Sequence, residues 1–223
     1  MAAAATILAA VVLGAVAVLW LRVGPEPEVT MTSDLPGIGP RTIVTATARA
    51  GGRGLGSIRV EVIQDGESLL LEERALTPPG PWSFGGDPVR EAVLETEVGR
   101  DRAPGLVEGF GVVQVTVERP GTLLRRPPPH VAELSLPVRL RPPTLGSVGV
   151  TATPTQSGSG VLRYTVGAGA VESGVEVGDY WFPGYLLPGG GVRDRFVLFG
   201  VPYDSADPST FRLVARDELG NEA

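Results

Sequence analysis

Beyond residue 27, no stretch of the chain repeats apolar residues at the spacing of a helix; the recurring pattern has period two. Short runs of Val, Ile, Thr and Leu alternate with polar residues and are cut off by Gly, Pro and Asp, as in half-buried strands joined by tight turns. Residues 42–48 (TIVTATA) form one such run. Ser57–Gln64 (SIRVEVIQ) sets Ile58, Val60 and Val62 against Arg59, Glu61 and Ile63. It leads into Asp65-Gly66, a dipeptide that takes up the positive φ of a two-residue hairpin, so residues 67–74 are the predicted partner strand. Further strands are predicted over Glu91–Val98, 111–118 and 130–140. Six or seven strands in about 115 residues, with turns every 8–12 positions, predict a β-sandwich.

Residues 76–88, rich in Pro and Gly and holding Trp82 and Phe84, read as a crossing loop whose aromatics cover a sandwich edge. Residues 125–129 (RRPPP) read as another loop. Leu140-Arg141-Pro142-Pro143-Thr144 marks a domain boundary, because Pro-Pro cannot continue a central strand. Across it, Val44-Thr45-Ala46-Thr47 returns as Val150-Thr151-Ala152-Thr153. Each copy precedes a Gly-rich turn and then a strand with Arg at its third position, Ser57-Ile58-Arg59 and Val161-Leu162-Arg163. The offset of about one hundred residues suits a sandwich domain, so two related domains are expected. In the second, residues 196–201 and 210–216 are predicted strands, and residues 217–221 (DELGN) a turn. A strand that turns needs a partner, so the sequence is expected to continue as part of a longer protein.

The N-terminal segment obeys a different rule. Residues 2–21 contain no charge and end at Arg22. Twenty helical residues rise about 30 Å, the hydrocarbon thickness of a bilayer. A cleavable leader has a basic start and an apolar region of about 7–15 residues. Here the start is Met1-Ala2-Ala3-Ala4-Ala5, and the small-x-small site Ala15-Val16-Ala17 is followed by further apolar residues through Trp20 and Leu21. A retained anchor is the expectation, against a cleaved leader or a buried helix. Gly24-Pro25-Glu26-Pro27 follows as a short stiff linker. Arg22 alone votes weakly for a cytoplasmic body, and Glu26 and Glu28 offset it.

Composition narrows the chemistry. The net charge of −6 gives no electrostatic footprint for nucleic acid. All 19 cationic residues are Arg, which beside 31 Gly and 21 Pro reads as the mark of a GC-rich coding sequence, so their positions are not read as anion clamps. With no Cys there is no disulfide, thiolate zinc site or Cys nucleophile.

Several motifs carry a resemblance. They are Gly174-Val175-Glu176-Val177-Gly178-Asp179 leading to Phe182-Pro183-Gly184-Tyr185, then Phe199-Gly200-Val201-Pro202-Tyr203-Asp204, then Leu213-Val214-Ala215-Arg216-Asp217 with Gly220-Asn221. The stretch 54–60 also fits. With the anchor in front, the layout resembles the N-terminal, non-catalytic region of bacterial membrane-anchored zinc metallopeptidases of the lysostaphin type. The resemblance implies a single span, two immunoglobulin-like domains and a peptidoglycan endopeptidase domain beyond them, with the body on the periplasmic side of the inner membrane. Such peptidases hold zinc through His and Asp, including a His-x-His pair, and a metal-bound water attacks the peptide bond. A catalytic zinc needs three protein ligands. This chain has one His, His130, so no zinc site and no Ser-His-Asp triad is expected within it, and zinc belongs only to the absent catalytic domain.

The densest aromatic cluster is Asp179, Tyr180, Trp181, Phe182 and Tyr185, and these five are the candidate contacts for glycan or for a partner. Rings beside a carboxylate stack on sugar; strand aromatics are also ordinary packing, and both readings stand. Asp204, Asp207, Asp217 and Glu218 gather near two turns, where they either bind calcium or serve the turns themselves. His130, Glu72-Glu73 and Arg125-Arg126 read as solvated surface.

The expectation is an all-β protein: an anchor over residues 1–23, a first immunoglobulin-like sandwich over 24–141, and a second, smaller one over 142–223 that is expected to be incomplete. Its expected role is a membrane-tethered periplasmic spacer or scaffold with no catalytic residues and no cofactor. Its partners would be the bilayer through residues 2–21, a downstream catalytic domain and peptidoglycan; the alternative is a cell-envelope glycan-binding or adhesion module.

Overall fold

The computed structural model describes residues 24–77, 87–122, 125–150, 157–203 and 211–223, with Ile7, Ala10, Leu13, Gly14, Val16 and Ala17 before them. Every named element is a strand: β1 (Glu28–Ser33), β2 (Thr42–Arg49), β3 (Ser57–Gln64), β4 (Glu67–Ala75), β5 (Glu91–Val98), β6 (Gly109–Glu118), β7 (His130–Val138), β8 (Leu145–Val150), β9 (Ser159–Val166), β10 (Ala170–Val177), β11 (Tyr180–Pro183), β12 (Tyr185–Leu186), β13 (Asp194–Gly200) and β14 (Arg212–Asp217). The protein is all-β. Most of the expected anchor, and Trp82, Phe84, Asp204 and Asp207, lie outside the described residues. Among the described residues, no helix is long and apolar enough to cross a membrane.

The strands form two compact units, Met1–Val138 and Arg139–Ala223. In the first, one antiparallel sheet has the order β1-β2-β5 and the other β4-β3-β6-β7. Alternation decides which face is buried. In β2, Thr42, Val44, Ala46 and Ala48 point inward and are almost wholly buried. Ile58, Val60 and Val62 of β3 and Val113, Val115 and Val117 of β6 do the same from the other sheet. Each of the buried Val and Ile side chains contributes about 1.5–3 kcal/mol by leaving water. Asp65 and Gly66 take φ of 52° and 84°, which turns β3 back into β4 as the dipeptide predicts. After β1 the chain crosses between sheets: the Ile38 N–H donates to the Pro137 carbonyl at 2.7 Å, and Ile38 bridges Val138 in parallel.

The start of β1 is held from inside this unit. Arg119, itself buried, donates from Nη1 to the carbonyls of Pro25 at 2.6 Å and Gly24 at 3.4 Å. Gly24 packs on Gly52 so closely that a Cβ would come within 2.9 Å of the Gly52 nitrogen, and its φ of +77° also asks for glycine.

In the second unit the sheets run β12-β13-β9-β8 and β11-β10-β14. Its core joins Leu162, Tyr164 and Val166 of β9, Val175 and Val177 of β10, Val197 and Phe199 of β13, and Ala215 of β14. Tyr164 is the largest of these side chains. Burial pushes its phenol pKa up, and the hydroxyl meets the Ser173 Oγ at 2.9 Å. After β14 the chain turns and pairs back on it: Ala215 and Ala223 exchange both backbone hydrogen bonds, and Arg216 bridges Glu222.

The sequence repeat does not mark equivalent strands. Val44 lies in β2 and Ser57-Ile58-Arg59 in β3, which belong to different sheets. Val150 ends β8 and Val161-Leu162-Arg163 lies in β9, its neighbour in one sheet. Shared residue types here reflect shared strand patterning.

Candidate functional site

The candidate residues 179–185 sit on the β10–β11 hairpin and the crossing that follows it. Gly178, at φ +57°, opens the two-residue turn Gly178-Asp179, and Val177 pairs with Tyr180 across it. Alternation then sends successive side chains to opposite faces. Phe182, opposite Val175, points into the core and meets Phe199 edge-on, with ring centroids 6.5 Å apart. Tyr180, opposite Val177, shares that side but sits at the strand end and is about half exposed. Trp181, opposite Glu176, points outward. Tyr185 belongs to β12 in the other sheet and pairs with Phe196, rings 6.1 Å apart. Asp179 stays exposed in the turn. The five candidates therefore do not form one platform: Tyr180 and Phe182 share a side, and Trp181 and Tyr185 each lie elsewhere.

Trp181 is only partly exposed. Its ring lies on Gly174, where a Cβ would fall within 2.8 Å of the indole and overlap the Phe182 carbonyl. The Arg216 guanidinium stands 5.2 Å from the ring centroid, a cation–π distance. Arg216 also reaches Glu176 at 2.7 Å, Glu222 at 2.8 Å and Glu172 at 3.4 Å, and Arg212 reaches Glu176 at 2.7 Å and Glu222 at 2.8 Å. A sugar stacking on Trp181 would have to compete with Arg216 for the ring. The sequence reading missed this network. The signal that finds it is period-two spacing, because Glu172 and Glu176 on β10 stand opposite Arg216 and Arg212 on β14.

The network has a pH signature. Hydrogen bonds from Arg212 first, and from Arg216 against the opposing effect of burial, hold the Glu176 carboxyl below the ordinary glutamate range. A carboxylate lowered by folding adds stability above its unfolded pKa, about 4.3, and loses it as pH falls through the folded value. Glu176→Gln is therefore expected to melt below the parent at pH 7, and the gap is expected to close as pH falls past 4. Thermal melts of both proteins across that range check this. A gap that fails to narrow at all as pH falls below 4 would contradict the ion-pair origin. Added salt should narrow it at pH 7, since these groups are solvated.

The remaining candidates have local explanations. Asp217 Oδ1 accepts from the amides of Leu219 at 2.9 Å and Asn221 at 2.8 Å, and its Oδ2 accepts from Asn221 Nδ2 at 2.9 Å. Asn221 Nδ2 also donates to the Arg139 carbonyl at 2.9 Å, and Glu218 pairs with Arg139 at 2.9 Å. These two acids serve the turn. Among the described residues no three His, Cys, Asp or Glu side chains group as metal ligands. His130 begins β7, opposite Val117, and is partly buried. Glu72 accepts from Thr96 Oγ1 at 2.9 Å and Glu73 pairs with Arg59 at 3.2 Å. No protein-family model matches the chain, and no curated protein matches it significantly.

Proposed function

We propose that the chain is a membrane-tethered spacer or scaffold of the bacterial cell envelope. Residues 2–21 form a single apolar span in the inner membrane, and two immunoglobulin-like sandwiches carry whatever they present on the periplasmic side. The observation that carries this reading is the Arg119 clasp. The backbone is fixed where it enters the first sandwich, because Gly24 and Pro25 are bonded to a buried guanidinium. A spacer that sets distance needs such a joint. The six described residues before 24 have helical backbone, and Ile7 and Leu13 are about two-thirds exposed, which suits a helix with an apolar surface for lipid.

Strand order supports the immunoglobulin-like part of the reading. In the first unit the third, fourth, sixth and seventh strands oppose the first, second and fifth, and the chain after β1 crosses to the last strand. In the second unit β8-β9-β13-β12 reproduces the four-stranded sheet of a constant-type domain, and β11-β10-β14 contains the central pair of its partner. Residues 221–223 pair where that sheet's last strand would begin. The reading assigns no catalysis to these 223 residues, whose single His is the only imidazole. It agrees with the resemblance to the non-catalytic region of a lysostaphin-type zinc endopeptidase, and any zinc chemistry would belong to a further domain.

Alkaline carbonate washing of membranes and protease treatment of spheroplasts test the reading together. The chain is expected to stay with the membrane and its body to be digested from outside. Release by carbonate would overturn the span, and protection of the body would overturn the periplasmic placement. Glycan binding is the second reading. Tyr180 and Tyr185 favour it, each more than half exposed. Titration with peptidoglycan fragments that leaves Trp fluorescence and both tyrosines' NMR signals unmoved at millimolar ligand would remove it.

A further inference from the structure

We infer that the outer face of strands β12, β13 and β9 binds a glycan that carries carboxylate groups, with Tyr185 and Phe196 under the sugar and Arg163 on the carboxylate. The inference rests on the second reading above, glycan binding, and names its site and its ligand class.

One rung of the sheet builds the site. Tyr185 of β12 pairs with Phe196 of β13, and Phe196 pairs with Arg163 of β9. Side chains paired across strands point to one side of the sheet. Leu162 and Tyr164 flank Arg163, Val197 follows Phe196, and all three of these fill the core, so the rung faces away from it. Tyr185 is 57% exposed, its ring lies 6.1 Å from that of Phe196, and Arg163 is exposed beside them. Gly149, opposite Arg163 on β8, offers it no side chain. The next rung adds Val161 and Leu198.

The cation on this face is uncommitted. Of the four arginines on strands of the second unit, Arg195 donates to the Val192 carbonyl at 2.7 Å, and Arg212 and Arg216 pair with glutamates. Among the described residues, Arg163 makes no ion pair and no side-chain hydrogen bond. Asp194, the acid on the same face, turns its Oδ2 to the Gly191 amide at 2.7 Å. In a chain of net charge −6, a guanidinium is thus left open beside exposed rings, whereas the Trp181 ring in the other sheet already carries Arg216.

That pairing selects a ligand. A pyranose packs its C–H face on an aromatic ring. Strands about 4.8 Å apart place Arg163 one spacing from Phe196 and two from Tyr185, so a sugar over the ring pair holds its substituents toward Arg163. The planar guanidinium donates two parallel hydrogen bonds to a carboxylate, and a neutral hydroxyl cannot accept both in that geometry.

Two glycans of related backbone test this. One is the neutral tetramer of N-acetylglucosamine. The other is a peptidoglycan glycan strand stripped of its peptides, whose lactyl groups end in free carboxylates. Each is titrated calorimetrically into the full chain in detergent micelles. The stripped strand is expected to bind about fivefold more tightly, the worth of one matched, exposed ion pair. Arg163→Gln should remove that preference and leave binding of the neutral tetramer unchanged. Tyr185→Ala should weaken both, and Tyr180→Ala, in the other sheet, neither. All three side chains are exposed, and thermal melts check that each variant keeps its fold. Equal binding of the two glycans, or a preference that survives Arg163→Gln, overturns the carboxylate assignment alone. Binding that depends on Tyr180 and not on Tyr185 overturns the site. Binding of neither glycan overturns the inference together with the glycan reading.

Discussion

Gly184→Ala is expected to destabilise the second unit by about 3 kcal/mol, the upper range for forcing a methyl group into a packed core. For a unit of this size that is a fall on the order of 15 °C in melting temperature. Gly184 lies where the chain leaves β11 for β12, between the two sheets. Its amide donates to the Ser173 carbonyl at 2.8 Å, and a Cβ there would overlap the Tyr164 hydroxyl and stand 2.9 Å from the ring carbon that bears it. Tyr164 is 1% exposed and has nowhere to retreat. Gly189→Ala is the control: its φ of +74° costs about 1 kcal/mol, but open space surrounds it. Adding Tyr164→Phe to Gly184→Ala should recover part of the loss, because the hydroxyl makes the worst overlap. Calorimetry of the full chain reads all three variants. Equal melting of Gly184→Ala and Gly189→Ala would show that the close approach is not what requires glycine.

Asp217→Ala should cost a similar amount, about 3 kcal/mol, through the loss of charge-assisted bonds to buried donors. One carboxylate satisfies the Leu219 and Asn221 amides and the Asn221 side chain, while Leu219 is 1% and Asn221 0% exposed. Without it those donors remain buried beside an alanine. Asp217→Asn should fall between, since its amide keeps one acceptor but sets a second NH₂ against Asn221. Urea unfolding gives the energies, and hydrogen exchange at Leu219 and Asn221 locates the loss. Full protection of those amides in Asp217→Ala would refute the assignment.

Where strand pattern and turn chemistry agreed, the sequence was legible. The β3–β4 hairpin follows from SIRVEVIQ running into Asp65-Gly66, and β2, β5, β6 and β7 follow from alternation alone. β1 was missed because an edge strand with both faces partly wet shows no apolar stripe. β10 was missed for a different reason: Ser173 and Gly174 interrupt the alternation between Val171 and Val175, and the irregularity between Ala170 and Glu172 leaves Val171 68% exposed. The aromatic cluster does not form one platform, because neighbours in sequence are the residues a strand sends apart. The Arg119 clasp was not legible, since a bond to backbone carbonyls nearly a hundred positions away leaves no pattern in side-chain type.

That clasp has a mechanical consequence. A guanidinium rooted in the first unit's interior grips the backbone at its entry, so the joint is as stiff as the fold is stable. Local melting around β6 would release a swivel at residue 24, and every substitution that weakens this sandwich would also loosen its bearing.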